Sequence, residues 1–274
     1  MSLELKSIIV NGLSVSYLSR PADSGTVIIF IHGFPCKKEM WRQQLESLPK
    51  YIQGIAYDIR GFGNSEAGHG FLSIDLLASD LLNFIEELQL KKVILCGLSM
   101  GGYIVLRAFE RSPQRFSGLI LCDTNAFTDK DEARLKRFAL IEKVQSGGKE
   151  EFSENFLHQV LYEETLERKE QVVSSIRDMI QQASEKAICA ALLAMAARTD
   201  TTAVLPQIQI PALIIRGQHD RLMSAEKAEF LKSEIKNSSL AEIAASGHFP
   251  NLENPEEFNS RMNDFLEKYF WQEI

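Results

Sequence analysis

Residues 93–108 read Val93-Ile94-Leu95-Cys96-Gly97-Leu98-Ser99-Met100-Gly101-Gly102-Tyr103-Ile104-Val105-Leu106-Arg107-Ala108. A short apolar run meets a glycine-flanked serine and then a stretch with neither glycine nor proline. Residues 93–96 suit a buried strand and residues 103–108 a helix. Between them Gly97, Ser99 and Gly101 form G-x-S-x-G. In such an elbow the glycines lack the Cβ atoms that would collide where the chain reverses over a strained serine. The turn pushes the serine hydroxyl into the open. The following helix directs its first N–H groups and the positive end of its dipole to the same place, which suits a developing oxyanion.

Working outward, the same period recurs. Residues 26–31 form a continuous apolar run, as expected of a strand buried on both faces. A helix is expected over residues 38–48, a strand over 54–58 and a helix over 73–88. In that helix Leu77, Leu81, Phe84, Ile85 and Leu88 form one apolar stripe. Residues 116–121 supply another buried strand after the elbow helix. Alternation of this kind implies a parallel sheet with helices on both faces. Residues 3–10 and 13–19 precede it as an antiparallel pair joined at Asn11-Gly12, a dipeptide suited to tight hairpin turns.

From about residue 125 to 200 the rhythm becomes helix upon helix. The segment is charged outside (Lys130, Asp131, Glu132, Arg134, Lys136, Arg137) and striped with Val172, Ile176, Met179, Ile180 and with Ala187, Ile188, Ala191, Leu192, Met195. Gly147-Gly148 breaks it. It reads as an inserted helical cap over 125–200, dividing a core made of residues 1–124 and 201–274. The core rhythm then resumes: strand 212–216, helix 225–235, strand 240–244 and helix 255–269.

With 274 residues, 45% hydrophobic, the chain can bury one large core. A net charge of −7 and the lack of a basic cluster exclude non-specific nucleic-acid binding. No run approaches the roughly 18 apolar residues of a membrane span, and the first residues lack an apolar signal core. A soluble, cytoplasmic protein is expected. Cys36, Cys96, Cys122 and Cys189 are widely spaced and read as buried reduced thiols. No cluster has metal-ligand spacing, and Gly61-x-Gly63 lacks what a dinucleotide site needs. Neither metal nor cofactor is expected.

Ligands of open parallel sheets bind at the carboxyl ends of the strands, and these ends are rich in chemistry. They carry His32-Gly33-Phe34-Pro35, Asp58-Ile59-Arg60-Gly61-Phe62-Gly63-Asn64-Ser65, Ser99, Asp123, Gly217-Gln218-His219-Asp220 and Ser246-Gly247-His248-Phe249. A serine nucleophile needs a base, and the base needs an acid to orient it. Ser99, Asp220 and His248 supply these in chain order, with Asp123 a second candidate for the acid. Arg60 with its glycines reads as a structural turn, His219 as a packed neighbour, His32 as a brace of its loop, and His69 and His158 as surface residues.

In that order these motifs resemble the α/β-hydrolase fold, with a helical cap between the sixth and seventh strands. Gly97-Leu98-Ser99-Met100-Gly101-Gly102 and Met195-Ala196-Ala197-Arg198-Thr199-Asp200 look similar to 3-oxoadipate enol-lactonases and related small carboxylesterases. The resemblance implies Ser99 as nucleophile, His248 as general base and acid, Asp220 as its orienter, and the amides of Phe34 and Met100 as the oxyanion hole. Fold relatives that are dehalogenases and epoxide hydrolases carry Asp at the nucleophile position, which Ser99 does not match. The expected reaction is hydrolysis of a small-molecule ester or lactone, in a pocket lined by Phe34, Met100, Phe127, Leu222 and Phe249. Arg134, Arg137 and Arg198 read as solvated surface, with a role in receiving a substrate carboxylate as the alternative. A carbon–carbon bond hydrolase, a cofactor-free haloperoxidase and a non-enzymatic small-molecule sensor stay open, as does a homodimer. No nucleic-acid or membrane partner is expected.

Overall fold

The computed structural model describes residues 2–22, 25–68 and 72–271. Its apolar runs form one sheet of eight strands among the described residues, ordered β1-β2-β4-β3-β5-β6-β7-β8. The strands are β1 (Glu4–Val10), β2 (Leu13–Arg20), β3 (Thr26–Ile31), β4 (Ile52–Tyr57), β5 (Val93–Leu98), β6 (Phe116–Cys122), β7 (Ala212–Gly217) and β8 (Ser238–Ile243). β1 and β2 form an antiparallel hairpin, and β2 pairs antiparallel with β4. At its turn Asn11 and Gly12 both take positive φ, as the dipeptide predicts. The remaining strands run parallel. β5 lies inside the sheet and all its residues are buried, because continuous apolar runs satisfy a strand covered on both faces.

The helices of the core are α1 (Arg42–Ser47), α2 (Ile74–Glu87), α3 (Met100–Arg111), α9 (Ala225–Glu234), α10 (Pro250–Glu253) and α11 (Pro255–Phe270). Ser73 caps α2 by accepting from the Leu76 amide, and the stripe Leu77, Leu81, Phe84 and Ile85 is buried. The single helix expected over 38–48 is instead a 3-10 turn, Lys38–Trp41, followed by the short α1. The Lys38 ammonium is buried there against Asp58, 2.6 Å away, and the Lys38 amide donates to the same carboxylate. Breaking such a buried pair costs about 3–5 kcal/mol, enough to fix where the turn begins.

Between β6 and β7 lie α4 (Asp131–Gln145), α5 (Lys149–Val160), α6 (Glu163–Arg168), α7 (Glu170–Gln182) and α8 (Glu185–Ala196). Ile176, Met179, Ile180 and the stripe on α8 are buried, and Gly147 takes a positive φ where α4 ends. This insertion meets the carboxyl edge of the sheet through α5. Phe152 and Phe156 on α5 pack on Phe34 after β3, and Phe156 also meets Phe249 after β8. Among the described residues no helix is long and apolar enough to cross a membrane.

Candidate active site

The serine elbow follows from glycine sterics. A Cβ on Gly97 would stand 2.5 Å from the Gly101 carbonyl oxygen, and one on Gly101 would stand 2.3 Å from that of Ile31. Neither contact is tolerable, so only glycine lets α3 begin this close to β3. Ser99 takes φ 53° and ψ −111°, a conformation costing about 1–3 kcal/mol in a non-glycine residue. Its amide donates to Cys122 O, and its carbonyl accepts from the Thr124 hydroxyl at 2.9 Å. The site's hydrogen bonds thus hold the Ser99 backbone, and the half-buried side chain stands at the first turn of α3. Met100 is the first residue of that helix, where an amide N–H has no intrahelical acceptor.

The neighbouring loop is pressed against the elbow. Ile31 pairs with Gly97 across the β3–β5 ladder, and a Cβ on Gly33 would touch Leu98 at 2.8 Å and approach the Ser99 Cβ at 3.7 Å. Phe34 follows directly. His32 braces this loop: the Ile59 amide donates to Nε2 at 3.0 Å, so Nδ1 carries the proton and donates to Gly33 O at 3.0 Å. Burial lowers the His32 pKa and keeps the ring neutral. Behind it Arg60 is paired with Asp80, and a Cβ on Gly63 would strike the Asp58 carboxylate at 2.2 Å. Both agree with the structural turn expected of that motif.

On the opposite side His248 Nδ1 lies 2.7 Å from Asp220 Oδ2, both side chains buried. Asp220 Oδ1 accepts from the amides of Leu222 and Met223, at 2.7 and 3.1 Å. Burial opposes its ionisation, but the charge and hydrogen bond of His248, with further bonds from Asp123 and the Leu222 amide, hold the carboxyl below the ordinary range. Asp123 is the other carboxylate expected near the base. It too is buried, at φ 43°, and its Oδ1 accepts from the Gly217 amide at 2.9 Å while Oδ2 is left without a hydrogen-bond partner. Burial, then the Asp220 charge, push its carboxyl well above the ordinary value. Protonation at Oδ2 would let Asp123 donate to Asp220 and satisfy the orphan oxygen. Asp220 is therefore the carboxylate that touches His248, and Asp123 stands behind it.

Asp123, Asp220 and His248 present their donor atoms within 4.8 Å of one another, a spacing that a cation site also shows. Both Asp220 oxygens and Asp123 Oδ1 already accept hydrogen bonds here.

The pocket residues divide. Phe249 is fully buried, its ring 5.6 Å from that of His248, and it joins Phe34, Phe152 and Phe156 in one aromatic cluster. Leu222 contributes its amide to Asp220. Phe127 is not brought to that cluster: it is 36% exposed and packs on Phe230 of α9 at 4.7 Å. A single residue after β6 had no partner legible in its neighbours, and the aromatic surface that α9 offers drew it away. The expected solvated surface also fails for Arg198, which is buried, ion-paired to Asp129 at 2.8 Å and stacked over Tyr103. Arg137 shares Asp129, while Arg134 lies with Asp131 and Thr128. His219 stacks on Tyr162 at 4.0 Å, His158 is exposed as expected, and His69 lies outside the described residues.

Two features escaped sequence reasoning. Phe152 and Phe156 differ in no local way from other apolar residues of the insertion. Glu253 is 1% exposed and accepts from the amides of Gly247 and Phe249 and from that of Tyr162. Burial raises its carboxyl above the ordinary value, with the amides opposing. Its one signal is position, five residues after His248 beside Leu252 and Pro250.

A family profile described as alpha/beta hydrolase fold matches residues 26–255. Among curated proteins, 3-oxoadipate enol-lactonase 2 of Acinetobacter baylyi is 26% identical, over 98% of this chain and 97% of its own length. Among solved structures, a thermophilic esterase from Thermogutta terrifontis superposes with TM-score 0.90 at 32% identity, covering 98% of this chain and 100% of that one. The enol-lactonase from Burkholderia xenovorans does so at TM-score 0.87 and 27% identity, covering 95% and 99%.

Proposed function

We propose that this chain, which belongs to the α/β-hydrolase fold family, is a serine hydrolase that cleaves a small-molecule carboxylic ester, lactones included, through an acyl-enzyme on Ser99. The observation that carries the reading is the 2.7 Å bond from His248 to Asp220, at the sheet edge where Ser99 is bent into a strained elbow. The esterase and enol-lactonase likenesses support it.

In this reading His248 Nε2 takes the Ser99 proton as Oγ attacks the substrate carbonyl, and Nδ1–H stays on Asp220, which stabilises the imidazolium. The tetrahedral oxyanion is received by the amides of Phe34 and Met100. His248 returns the proton to the departing alkoxide. A water, deprotonated by His248, then releases the acid and frees Ser99. The helical insertion serves as a cap, and the cluster of Phe34, Phe152, Phe156 and Phe249 selects an apolar acyl group. Arg134, Arg137 and Arg198 are engaged with acidic partners, which favours uncharged esters over substrates that bear a second carboxylate.

The test is a p-nitrophenyl ester series with wild type and Ser99→Ala, with a fluorophosphonate to mark the reactive serine. Wild type should turn over and label at Ser99, and Ser99→Ala should lose about 10⁶-fold in kcat. An uncharged butyrate ester should outpace its analogue with a terminal carboxylate. Absence of labelling at Ser99, or rates that do not respond to acyl length, would overturn the respective parts of the proposal.

A further inference from the structure

The loop that carries His248 leaves the sheet at its edge. It follows β8, the last strand of the sheet order, whose burial is only partial until Ile243. Among the described residues no further strand lies beyond β8 to hold it. Residues 244–246 are tied to the loop after β7 and to α11: the His219 amide donates to Ser246 O, the Ala245 amide to Gln218 Oε1 and the Ala244 amide to Glu257 Oε2. The amides of Gly247, His248 and Phe249 donate instead to one side chain and to the insertion. The Glu253 carboxylate accepts from Gly247 N at 2.9 Å and Phe249 N at 3.2 Å through Oε1, and from Tyr162 N at 2.9 Å through Oε2. The backbone between those two loop donors is also tied across: the His248 amide donates to Val160 O at 2.7 Å. Contact is so close that a Cβ on Gly247 would stand 2.4 Å from Val160 O and 2.8 Å from Tyr162 N. Lys169, at the start of α7, donates its ammonium to the Glu253 main-chain oxygen at 2.6 Å. Val160, Tyr162 and Lys169 all belong to the insertion.

A buried carboxylate is costly unless donors surround it, and charged hydrogen bonds to backbone amides are about twice as strong as neutral ones. Of the amides that donate to the Glu253 carboxylate, those of Gly247 and Phe249 flank His248 and that of Tyr162 belongs to the cap. We infer that Glu253 is a positioning residue that binds the His248 loop to the cap segment 160–162, so that the cap cannot part from the core there without displacing the general base. The inference rests on the serine-hydrolase reading and adds to it a mechanical link between cap and catalysis. Glu253 itself touches no reacting atom; it acts through Gly247 and Phe249.

Three variants test the link. Glu253→Gln keeps the shape but presents an amide nitrogen to amide donors. Tyr162→Pro deletes one donor from the cap side, at a residue whose φ of −65° suits proline and whose predecessor is extended. Tyr162→Ala controls for loss of the ring that stacks on His219. The readouts are kcat and KM on a p-nitrophenyl ester, the rate of fluorophosphonate labelling, the downfield proton resonance of the His248 Nδ1–H, and amide hydrogen exchange.

Glu253→Gln should lower kcat and labelling roughly 10²-fold with KM little changed, the loss expected when a reacting group is misplaced by about an ångström. The His248 proton resonance should move or broaden. Tyr162→Pro should show the same pattern more weakly, and beyond the effect of Tyr162→Ala. Exchange at residues 160–161 and 247–249 should rise together in both, and at residue 162 as well in Glu253→Gln. Wild-type kcat, labelling and proton resonance in Glu253→Gln would overturn the inference, as would equal behaviour of Tyr162→Pro and Tyr162→Ala. Should Glu253→Gln not fold, the Tyr162 pair decides. Should wild type itself neither label nor turn over, the hydrolase reading falls, and exchange still decides the link: joint opening supports it, independent opening overturns it.

Discussion

The serine and the histidine of the site stand at the same edge of one sheet, yet they are held by different means. Ser99 emerges from β5 inside the sheet, and its elbow is set by contacts of glycines with backbone atoms a few residues away or one strand over. His248 emerges from the edge strand β8, and the amides around it are set by a buried carboxylate and by a segment of the helical insertion about ninety residues earlier in the chain. The first arrangement is steric and local, and the second is polar and long-range. Elements of the second kind are open to adjustment without disturbing the sheet, because no strand ladder runs through them.

The largest effect that separates the two sides is chemical. Asp220→Asn leaves the elbow intact and should lower kcat about 10⁴-fold, because an amide cannot stabilise the imidazolium and favours the wrong tautomer. Fluorophosphonate labelling would slow in parallel, and an unchanged rate would place the orienting acid elsewhere.

Next come two glycine substitutions that set one side against the other. Gly101→Ala drives a Cβ into the Ile31 carbonyl and Gly247→Ala drives one into that of Val160, at 2.3 and 2.4 Å. The Gly101 contact lies in the core of the sheet, so it should lower global stability, by about 1–3 kcal/mol or more, together with activity. Gly247→Ala should lower kcat with a smaller loss of stability, because the insertion can shift. Thermal melts beside kcat check this, and equal stability losses would erase the distinction.

The smallest effect sharpens the histidine side. Asn at position 123 mimics the protonated carboxyl, accepting from Gly217 and donating to Asp220. The folded-state pKa of Asp123 is raised, so the folded protein binds that proton more tightly than the unfolded chain. The associated stability is complete below the ordinary carboxylate range and is lost as pH rises toward the folded value. Asp123→Asn should keep activity within a few-fold and remove this loss. Denaturant melts from the ordinary carboxylate range upward in pH would show it as a variant that gains on wild type as pH rises.

Much of this was legible in the residues themselves. The buried strands announced themselves as continuous apolar runs, α2 as a stripe, the hairpin as Asn11-Gly12, and the insertion as a change of rhythm near residue 125. Where element boundaries moved, long-range contacts moved them, as when the Lys38–Asp58 pair split the expected first helix. In the candidate site the elbow was legible because its cause lies within five residues. The aromatic wall was half legible: Phe34 and Phe249 flank motif residues, whereas Phe152 and Phe156 lie within an unremarkable amphipathic helix.

By itself the sequence determined the strand–elbow–helix unit, the period of the core and the set of side chains delivered to the sheet's carboxyl edge. Each follows from sterics or burial over a few consecutive residues. Only the tertiary structure decided that Asp220 touches His248 while Asp123 stands behind it, that Phe127 turns to Phe230, and that Glu253 joins the histidine loop to the insertion. These are pairings between elements far apart in the chain. They depend on strand register and helix packing, which bring together side chains whose own neighbours carry no mark of the partner.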